Sequence, residues 1–335
     1  MQIGKYNGSP CYISPSSPNL HVLLSGLSGE GKSVRQNNIE LDAAKNGKTV
    51  IVLDVSRNHL PQFLLPDIAE EYESHTNRID VAADGLHLHL LHPLQNERNT
   101  SLINSSCEVL SSGMNMGLRQ KAIIREAIEQ AIDTASDDLS ESELLQRIFR
   151  KNSADARWSC VYEKLYPVLA DDLLKSGTAN IIPGAINIFD FRNIDIGTAE
   201  ILSEMLLSFL WREATTMGSD STVCSIDEFQ HLSLGKNSTF RTVLREGRRF
   251  QLHLLLATQT LEIFTASERS MLNQSATQLI FKPASCELHK LAKQIAPENV
   301  SEVENILRSL SVGSCLALGD KLINGTKISK PLILR

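Results

Sequence analysis

Residues 21–34 read HVLLSGLSGEGKSV, which is an apolar run, a glycine-rich turn, and then a lysine followed by a serine. Residues 26–33 fit the pattern GxxxxGK[ST], with a predicted strand before it and a predicted helix after it. In such a loop the glycines let backbone N–H groups curl around a phosphate, and the N-terminus of the following helix adds positive potential. The stretch therefore predicts a phosphate-binding loop between a strand and a helix.

Each residue of this loop has an expected role in binding the predicted cofactors, ATP and Mg²⁺. Lys32 is expected to reach the β- and γ-phosphates, and the Ser33 hydroxyl is expected to ligate the metal. The predicted nucleotide contacts in the loop come from Gly26, Ser28, Gly29, Glu30, Gly31, Lys32, Ser33 and Val34. A chance match in a turn rich in glycine and serine is the alternative, and the flanking strand and helix disfavour it.

A second motif supplies the acidic group that a nucleotide-bound metal needs. Residues 222–228 read TVCSIDE, which is an apolar strand followed by two carboxylates. Asp227 is expected to hold the Mg²⁺ shell, and Glu228 to orient and deprotonate the attacking water. A kinase does not need a hydrolytic base at this position, so the pair indicates an ATP hydrolase. An acidic turn after a buried strand is the alternative, and the presence of the phosphate loop disfavours it.

Arginines precede the next predicted strand, and a glutamine follows it. Residues 245–250 read REGRRF, and residues 252–259 read LHLLLATQ. Gln259, at the tip of a strand beside the Asp227 strand, is predicted to sense the γ-phosphate or to position water. The arginines are predicted to act as a finger for a neighbouring subunit, with a charged helix end as the alternative. The sequence does not rank Arg245, Arg248 and Arg249 for this role.

Strands that alternate with helices predict an α/β fold with a mainly parallel sheet covered on both faces. Predicted helices span residues 32–45, 197–215 and 238–248. Short, mostly apolar runs that are typical of buried strands occupy residues 21–25, 49–54, 185–190, 222–227, 252–257, 278–281, 314–318 and 331–334.

The chain divides into three predicted regions. Residues 1–20 form a short hairpin segment with an Asn-Gly turn. Residues 21–97 and 181–335 form the α/β core. Residues 98–180 form a helical insertion, in which residues 140–143 read SESE and make a capping box ahead of an apolar helical face.

Length and composition exclude several classes of protein. The chain has 335 residues, of which 42% are hydrophobic and 21% charged, as in ordinary globular proteins. It has no apolar run near the roughly 18 residues that span a bilayer and no signal-peptide pattern, so no integral membrane segment is expected. The six cysteines form no CxxC pair, which indicates a reducing, cytoplasmic location. The net charge of −6 does not indicate nucleic-acid binding, although basic groups can be concentrated locally in a channel.

Two further groups of residues have both a functional and a structural interpretation. His87, His89 and His92 lie in an alternating segment and could form part of a metal site, but no cysteine or carboxylate nearby in the sequence completes it. Lys236 and Arg241 could line a channel and contact phosphates. In both cases we favour the structural interpretation, a packed segment for the histidines and a solvated loop for the basic pair.

The motifs, taken in order, resemble the HerA/FtsK branch of RecA-like ATPases. Residues 245–259, REGRRFQLHLLLATQ, resemble the stretch in that family where R-E-G-R-[KR]-F-G leads into a strand and a glutamine. The resemblance extends from about residue 19 to the end and is weakest in the helical insertion. The set that carries it is GLSGEGKS at 26–33, Leu53-Asp54, Ile188-Phe189-Asp190, Asp227-Glu228, REGRRF at 245–250 and Ala257-Thr258-Gln259.

The resemblance implies a RecA-like P-loop NTPase core and a homohexameric ring that threads double-stranded DNA through a central channel. It implies that Lys32 and Ser33 bind nucleotide and metal, that Glu228 is the hydrolytic base and that Gln259 is the sensor. Arg248 is implied as the finger acting on the neighbouring subunit. Asp54 matches an acidic position near the nucleotide.

The chain departs from the family at its N-terminus, where about 20 residues stand in place of a β-barrel of roughly a hundred. Leu20 replaces a frequent arginine, and Gln251 replaces the usual glycine after Phe250. The expected function is an ATP-driven DNA motor that works with a nuclease or a defence effector. The alternatives are an ATPase of a conjugation or type IV secretion system, and an ATP-gated ring that acts as a scaffold for an antiphage effector.

Overall fold

The computed structural model describes residues 1–56, 58–134, 139–178, 180–218, 221–235 and 238–335. The strands are β1 Gln2–Tyr6, β2 Ser9–Ile13, β3 Val22–Ser25, β4 Thr49–Asp54, β5 Thr76–Asp80, β6 Ile186–Asp190, β7 Thr222–Ile226, β8 Leu252–Thr258, β9 Thr277–Ile280, β10 Cys315–Leu318, β11 Lys321–Ile323, β12 Thr326–Ile328 and β13 Leu332–Leu334. The helices are α1 Lys32–Lys45, α2 Pro66–Ser74, α3 Val81–Asp84, α4 Asn99–Ser111, α5 Leu118–Asp133, α6 Glu141–Lys151, α7 Ala156–Leu169, α8 Ile196–Met217, α9 Thr239–Glu246, α10 Ala266–Leu272, α11 Leu288–Ile295 and α12 Val300–Ser309.

The large sheet has nine strands in the order β13-β10-β9-β3-β8-β7-β4-β6-β5. The strands from β9 to β5 are parallel to one another, and β10 and β13 add an antiparallel edge. Every residue of β3, β6 and β8 is buried, as expected for parallel strands that are covered on both faces. The predicted α/β architecture with a mainly parallel sheet is confirmed, and each apolar run identified in the sequence forms a strand of this sheet.

Alternate residues of the central strands pack into two different cores. Val50 and Val52 of β4 pack with residues of α1 and α2, whereas Ile51 and Leu53 pack with α8 and the helices between residues 98 and 180. This alternation follows from the two-residue period of a strand, which points successive side chains to opposite faces of the sheet. The sheet is therefore held rigidly between two helical layers.

The strand order places three loops at one edge of the sheet. β8 lies between β3 and β7, with Ser25 opposite Thr258 and Ile226 opposite Leu256. Because parallel strands end at the same edge, the loop after β3 lies beside the residues that follow β8 and β7. Ligands bind at this carboxyl edge in open α/β sheets.

Helices α4 to α7 lie in the described part of residues 98–180 and pack against α8. The predicted capping box is present at the start of α6, where the Ser140 side chain accepts from the Glu143 N–H and the Glu143 carboxylate accepts from the Ser140 N–H. A buried ion pair of 2.6 Å between Arg212 of α8 and Glu97 fixes the segment that leads into α4. No helix of the described residues is long and apolar enough to cross a membrane.

The N-terminal hairpin is one half of a second sheet. β1 and β2 are joined by Asn7 and Gly8 at φ values of 49° and 83°, and the sheet order is β1-β2-β11-β12. Sequence analysis missed β11 and β12, although Asn324-Gly325 joins them as the same kind of turn and is a recognisable hairpin signal. Lys5 of β1 also exchanges two backbone hydrogen bonds with Arg335, at 2.7 and 2.9 Å. The first residues of the chain are thus anchored by the last ones.

Two buried histidines make the folded chain sensitive to acid. The rings of His21 and His253 lie 6.3 Å apart, and His21 Nδ1 accepts the Leu254 N–H at 2.9 Å. Within the described structure, neither ring nitrogen of His253 has a hydrogen-bond partner. Burial lowers the pKa of His21 to about 3 and that of His253 to about 4. Both rings are therefore neutral in the fold at neutral pH.

We expect these two histidines to lower the free energy of unfolding as the pH drops from 6.5 to 4, a contribution that Glu204 and Glu213 oppose because burial raises the pKa of each to about 7. In this range the unfolded chain binds protons at both histidines and the folded chain does not, so acid favours unfolding. The pKa of His253 alone corresponds to about 3 kcal/mol between its folded and unfolded states. Urea unfolding of wild type and His253→Leu across this range measures how steeply the free energy of unfolding changes with pH. The slope should correspond to the uptake of about one proton fewer in the variant. Equal slopes would contradict this assignment.

Candidate active site

The loop after β3 has a backbone that requires glycine. Gly26 and Gly31 have φ values of 143° and 99°, which residues other than glycine rarely adopt. A Cβ atom at Gly26 would lie 2.8 Å from the Cβ of Phe281, and one at Gly31 would lie 2.9 Å from the Cα of Gly313. The loop is therefore packed against its neighbours as closely as backbone allows.

Neighbouring elements hold the loop in shape through its backbone. The Phe281 N–H donates to the Ser25 carbonyl at 2.8 Å, and the Leu27 N–H donates to the Lys282 carbonyl at 2.9 Å. On the other side, the Gly313 N–H donates to the Glu30 carbonyl at 2.9 Å. Leu27, Ser28 and Gly29 remain exposed between these anchors. The loop is preformed, with its tip open to solvent.

Lys32 and Ser33 are the first two residues of α1. Lys32 is only 6% exposed, and its ammonium donates to the carbonyls of Gly26 and Leu27 at 2.8 and 3.0 Å. Burial lowers the pKa of Lys32, and the carboxylates of Glu228, Asp227 and Glu30 oppose this effect. Within the described structure no side chain caps the N-terminus of α1, so its first N–H groups point into the loop. A positively charged cradle with free N–H groups fits the phosphates of a nucleotide.

Asp227 follows β7 and is 4% exposed. Its Oδ1 accepts the Glu228 N–H at 2.9 Å, and its Oδ2 accepts the Asn58 side-chain amide at 2.6 Å. Burial raises the pKa of Asp227, while Asn58 and the positive charge of His59 act in the opposite direction. A buried carboxylate that acts electrostatically on Lys32, the residue before Ser33, fits Mg²⁺, which takes one or two carboxylates and completes its shell from phosphates and water.

Glu228 is held between two glutamines. Its Oε1 accepts the Gln259 amide at 2.7 Å, and its Oε2 accepts the Gln230 amide at 2.6 Å. The Gln230 oxygen in turn accepts the Thr258 hydroxyl at 2.9 Å. Glu228 adopts a left-handed backbone, with φ 51° and ψ 48°, which is uncommon for a residue other than glycine. Gln259 is one of the residues predicted from the sequence, whereas Gln230 was not predicted because it belongs to no sequence motif.

Asp54, at the end of β4, points toward its own loop. Its Oδ1 accepts the Asn58 N–H at 2.9 Å and lies 3.2 Å from His59 Nδ1. His59 Nε2 lies 3.2 Å from Glu40 of α1, and all three side chains are buried. Burial opposes the charge on His59, but Glu40 and Asp54 raise its pKa to about 10. Asp54 thus belongs to a buried ion network beside the loop, a grouping that sequence analysis missed.

The predicted arginine finger lies away from the phosphate loop of its own chain. Arg248 lies in a 3₁₀ turn, Gly247–Phe250, before β8, and its guanidinium donates to the Pro18 carbonyl. The seven residues of β8 separate this turn from Gln259, which is roughly 23 Å of extended chain. Arg245, Arg248 and Arg249 are all exposed. The turn that carries Arg248 and Arg249 thus precedes β8, whereas the phosphate loop follows β3 at the other end of the paired strands.

The histidines of residues 86–92 point in different directions. His87 Nδ1 bonds to the Ser176 carbonyl at 2.8 Å, His89 stacks on Phe209 with ring centroids 5.9 Å apart, and His92 lies 3.8 Å from Glu141. Across the described residues, no group of three or more His, Cys, Asp or Glu side chains could hold a metal ion. Each of these histidines thus contacts a different part of the fold. Arg241 lies half-buried in α9, and Lys236 falls outside the described residues.

Comparison with known proteins gives structural matches only. No protein-family model and no curated protein matches the sequence. The structure of VirB4 of Thermoanaerobacter pseudethanolicus matches with a TM-score of 0.73 and 15% identity, over 100% of this chain and 96% of that chain. The conjugative coupling protein TrwB matches with a TM-score of 0.65 and 13% identity, over 99% and 87%. TrwB in complex with ADP and Mg²⁺ matches with a TM-score of 0.62 and 12% identity, over 100% and 90%. The fold is that of the RecA-like P-loop NTPases.

Within this P-loop NTPase fold, the predicted site residues fall into three groups. The loop residues, Asp227, Glu228 and Gln259 meet at the carboxyl edge of the sheet. Asp54 lies beside them but is bonded to His59. Arg248 lies beyond the opposite end of β8.

Proposed function

We propose that the chain is a Mg²⁺-dependent ATPase that works as a homohexameric ring and moves double-stranded DNA. One observation supports hydrolysis above all. Glu228, the predicted base, is bonded to Gln259 and Gln230 at the same sheet edge as Lys32. An ATPase needs a carboxylate held in place beside the phosphate loop, and this arrangement supplies one.

The residues of the site divide the chemistry among them. The Lys32 ammonium leaves the carbonyls of Gly26 and Leu27 to bind phosphate oxygens, where its charge stabilises the transition state. Ser33 and Asp227 hold Mg²⁺, which when bound offsets the negative charge that develops on the phosphates. Glu228 accepts the proton of the attacking water at a carboxylate oxygen. Gln259 is exposed, so its bond to Glu228 can open to admit that water without disturbing the core.

A Lys32→Ala chain should bind ATP weakly and lose turnover by about 100-fold or more, because a preorganised cation at the transferring phosphate is removed. Lys45→Ala is the matched control, since Lys45 ends the same helix and pairs at the surface with Glu71 at 2.6 Å. Binding of a fluorescent ATP analogue and release of phosphate measure the two effects. Unchanged binding and turnover in Lys32→Ala would refute the assignment of the phosphate loop.

The DNA substrate and the ring rest on the resemblance of the motifs to HerA-type motors. The second candidate is an ATPase of a conjugation or secretion system, in which the cargo is protein or nucleoprotein. The structural matches to VirB4 and TrwB, which cover nearly all of this chain, support this second candidate. The resemblance alone supports a nuclease or a defence effector as a partner, with the ring as motor or as scaffold.

Stimulation of the ATPase by DNA separates the candidates. We expect linear double-stranded DNA to raise phosphate release by the wild-type chain several-fold, and displacement of a triplex-forming strand to report movement. Stimulation without displacement would favour a scaffold. ATP hydrolysis that does not respond to DNA would favour the secretion-type ATPase over the DNA motor.

A further inference from the structure

Asn58 and His59, which follow β4, join Asp227 to the buried ion network. None of the sequence motifs includes them. They connect the carboxylate that follows β7, which is proposed to hold Mg²⁺, with three other elements of the core. Their contacts show what keeps that carboxylate in its orientation.

Asn58 contacts Asp227 directly. Its amide donates to Asp227 Oδ2 at 2.6 Å and to the Ser56 hydroxyl at 3.2 Å. Its backbone N–H donates to Asp54 Oδ1 at 2.9 Å. Asp227 therefore has one oxygen held by the Glu228 N–H and the other by Asn58 at 2.6 Å, with a longer contact of 3.5 Å from the Ser56 hydroxyl to that same oxygen.

His59 is 1% exposed and is attached to three elements. Its ring nitrogens face Asp54 of β4 and Glu40 of α1, each at 3.2 Å. Its carbonyl accepts the Arg78 guanidinium of β5 at 2.8 Å. These contacts fix the backbone next to Asn58, so the Asn58 amide reaches Asp227 from a rigid base.

Glu40 connects α1 and β7, the two elements next to the proposed Mg²⁺ ligands. It lies on α1, the helix that carries Ser33, and it accepts the hydroxyl of Ser225. Ser225 lies in β7, two residues before Asp227, and also accepts the Gln36 amide of α1 at 2.8 Å. The same network thus sets the position of α1 against β7 and the orientation of Asp227.

We propose that Asn58 and His59 are positioning residues for Mg²⁺: Asn58 orients the Asp227 carboxylate, and His59 holds Asn58 in place by bridging Asp54 and Glu40. The inference rests on the proposed ATPase function. Side chains that orient a metal ligand typically contribute 10- to 100-fold to metal affinity. Loss of Asn58 should therefore affect the Mg²⁺ requirement more than nucleotide binding itself.

The test compares Asn58→Ala with Tyr72→Phe. Each loses one hydrogen bond to a buried carboxylate, since the Tyr72 hydroxyl donates at 2.5 Å to Glu40 Oε2, the oxygen that does not face His59. The Mg²⁺ concentration for half-maximal binding of a fluorescent ATP analogue is measured in the full chain, and melting curves give the folded fraction. We expect the Mg²⁺ concentration for half-maximal binding to rise about 10- to 100-fold in Asn58→Ala. Analogue binding without Mg²⁺ should stay unchanged, and Tyr72→Phe should keep the wild-type midpoint.

His59 is tested by two substitutions. His59→Leu should raise the Mg²⁺ midpoint as Asn58→Ala does, and His59→Gln, which keeps one hydrogen-bonding group, should recover part of the difference. Equal Mg²⁺ midpoints for wild type and Asn58→Ala, at equal folded fractions, would overturn the inference while the ATPase stands. A wild-type chain that binds no nucleotide with Mg²⁺ would overturn the proposed function and this inference with it.

Discussion

A Glu228→Gln chain should still bind Mg²⁺–ATP but release phosphate at least about 100-fold more slowly than the wild type. Glutamine has nearly the same size as glutamate, but its amide cannot accept the proton of the attacking water. The contacts around it can persist, because the exposed Gln259 can turn its amide oxygen toward the new side chain. The substitution therefore removes the proposed base and leaves the nucleotide-binding site in place.

Two measurements on the same protein decide this prediction. Phosphate release gives turnover, and binding of a fluorescent ATP analogue gives affinity. Glu262→Gln is the control, since that carboxylate lies at the surface and pairs with Lys290 at 2.7 Å. Release by Glu228→Gln at more than about a tenth of the wild-type rate would show that Glu228 is not the base.

An Arg248→Ala chain should bind ATP normally and hydrolyse it about 1,000-fold more slowly, the effect typical of a missing arginine finger. Arg248 is exposed and lies beyond the far end of β8 from its own phosphate loop. Its removal therefore leaves the loop and the binding of nucleotide untouched. Arg157→Ala, which changes an exposed arginine of α7, is the matched control.

Mixing variants tests whether the arginine acts on a neighbouring subunit. In a ring made from Arg248→Ala and Lys32→Ala chains, some interfaces combine an intact Lys32 with an intact Arg248. Those interfaces should restore part of the activity that both pure variants lack. No recovery in the mixture would exclude this geometry for Arg248. The same mixtures with Arg245→Ala and Arg249→Ala would show which of the three arginines acts.

The parts of the fold that were predicted correctly depend on local patterns. An apolar run covered on both faces predicts a buried strand, and Gly26 to Ser33 predict the loop and the start of α1. The capping box of Ser140 and Glu143 was found for the same reason. β11 and β12 were missed because each has only three residues and too little apolar pattern, although their Asn-Gly turn was readable.

The contacts around the site depend on strand order, which the sequence does not show. Gln230 and Gln259 meet at Glu228 because β8 lies beside β7. Similarly, His59 bridges Asp54 and Glu40 only because α1 packs over β4 and β7. A lone histidine or glutamine carries no signal of such a partner. Asp54 was recognised, but its orientation toward His59 required the structure.

A crystal structure of the Glu228→Gln chain with Mg²⁺ and ATP would show directly where the phosphates and the metal bind. We expect the β- and γ-phosphates against the backbone of residues 26–33, with the Lys32 ammonium moved from its two carbonyls onto phosphate oxygens. We also expect Mg²⁺ between the Ser33 hydroxyl and Asp227. Nucleotide bound elsewhere, or phosphates outside the loop with Lys32 still on the carbonyls of Gly26 and Leu27, would contradict the proposed site.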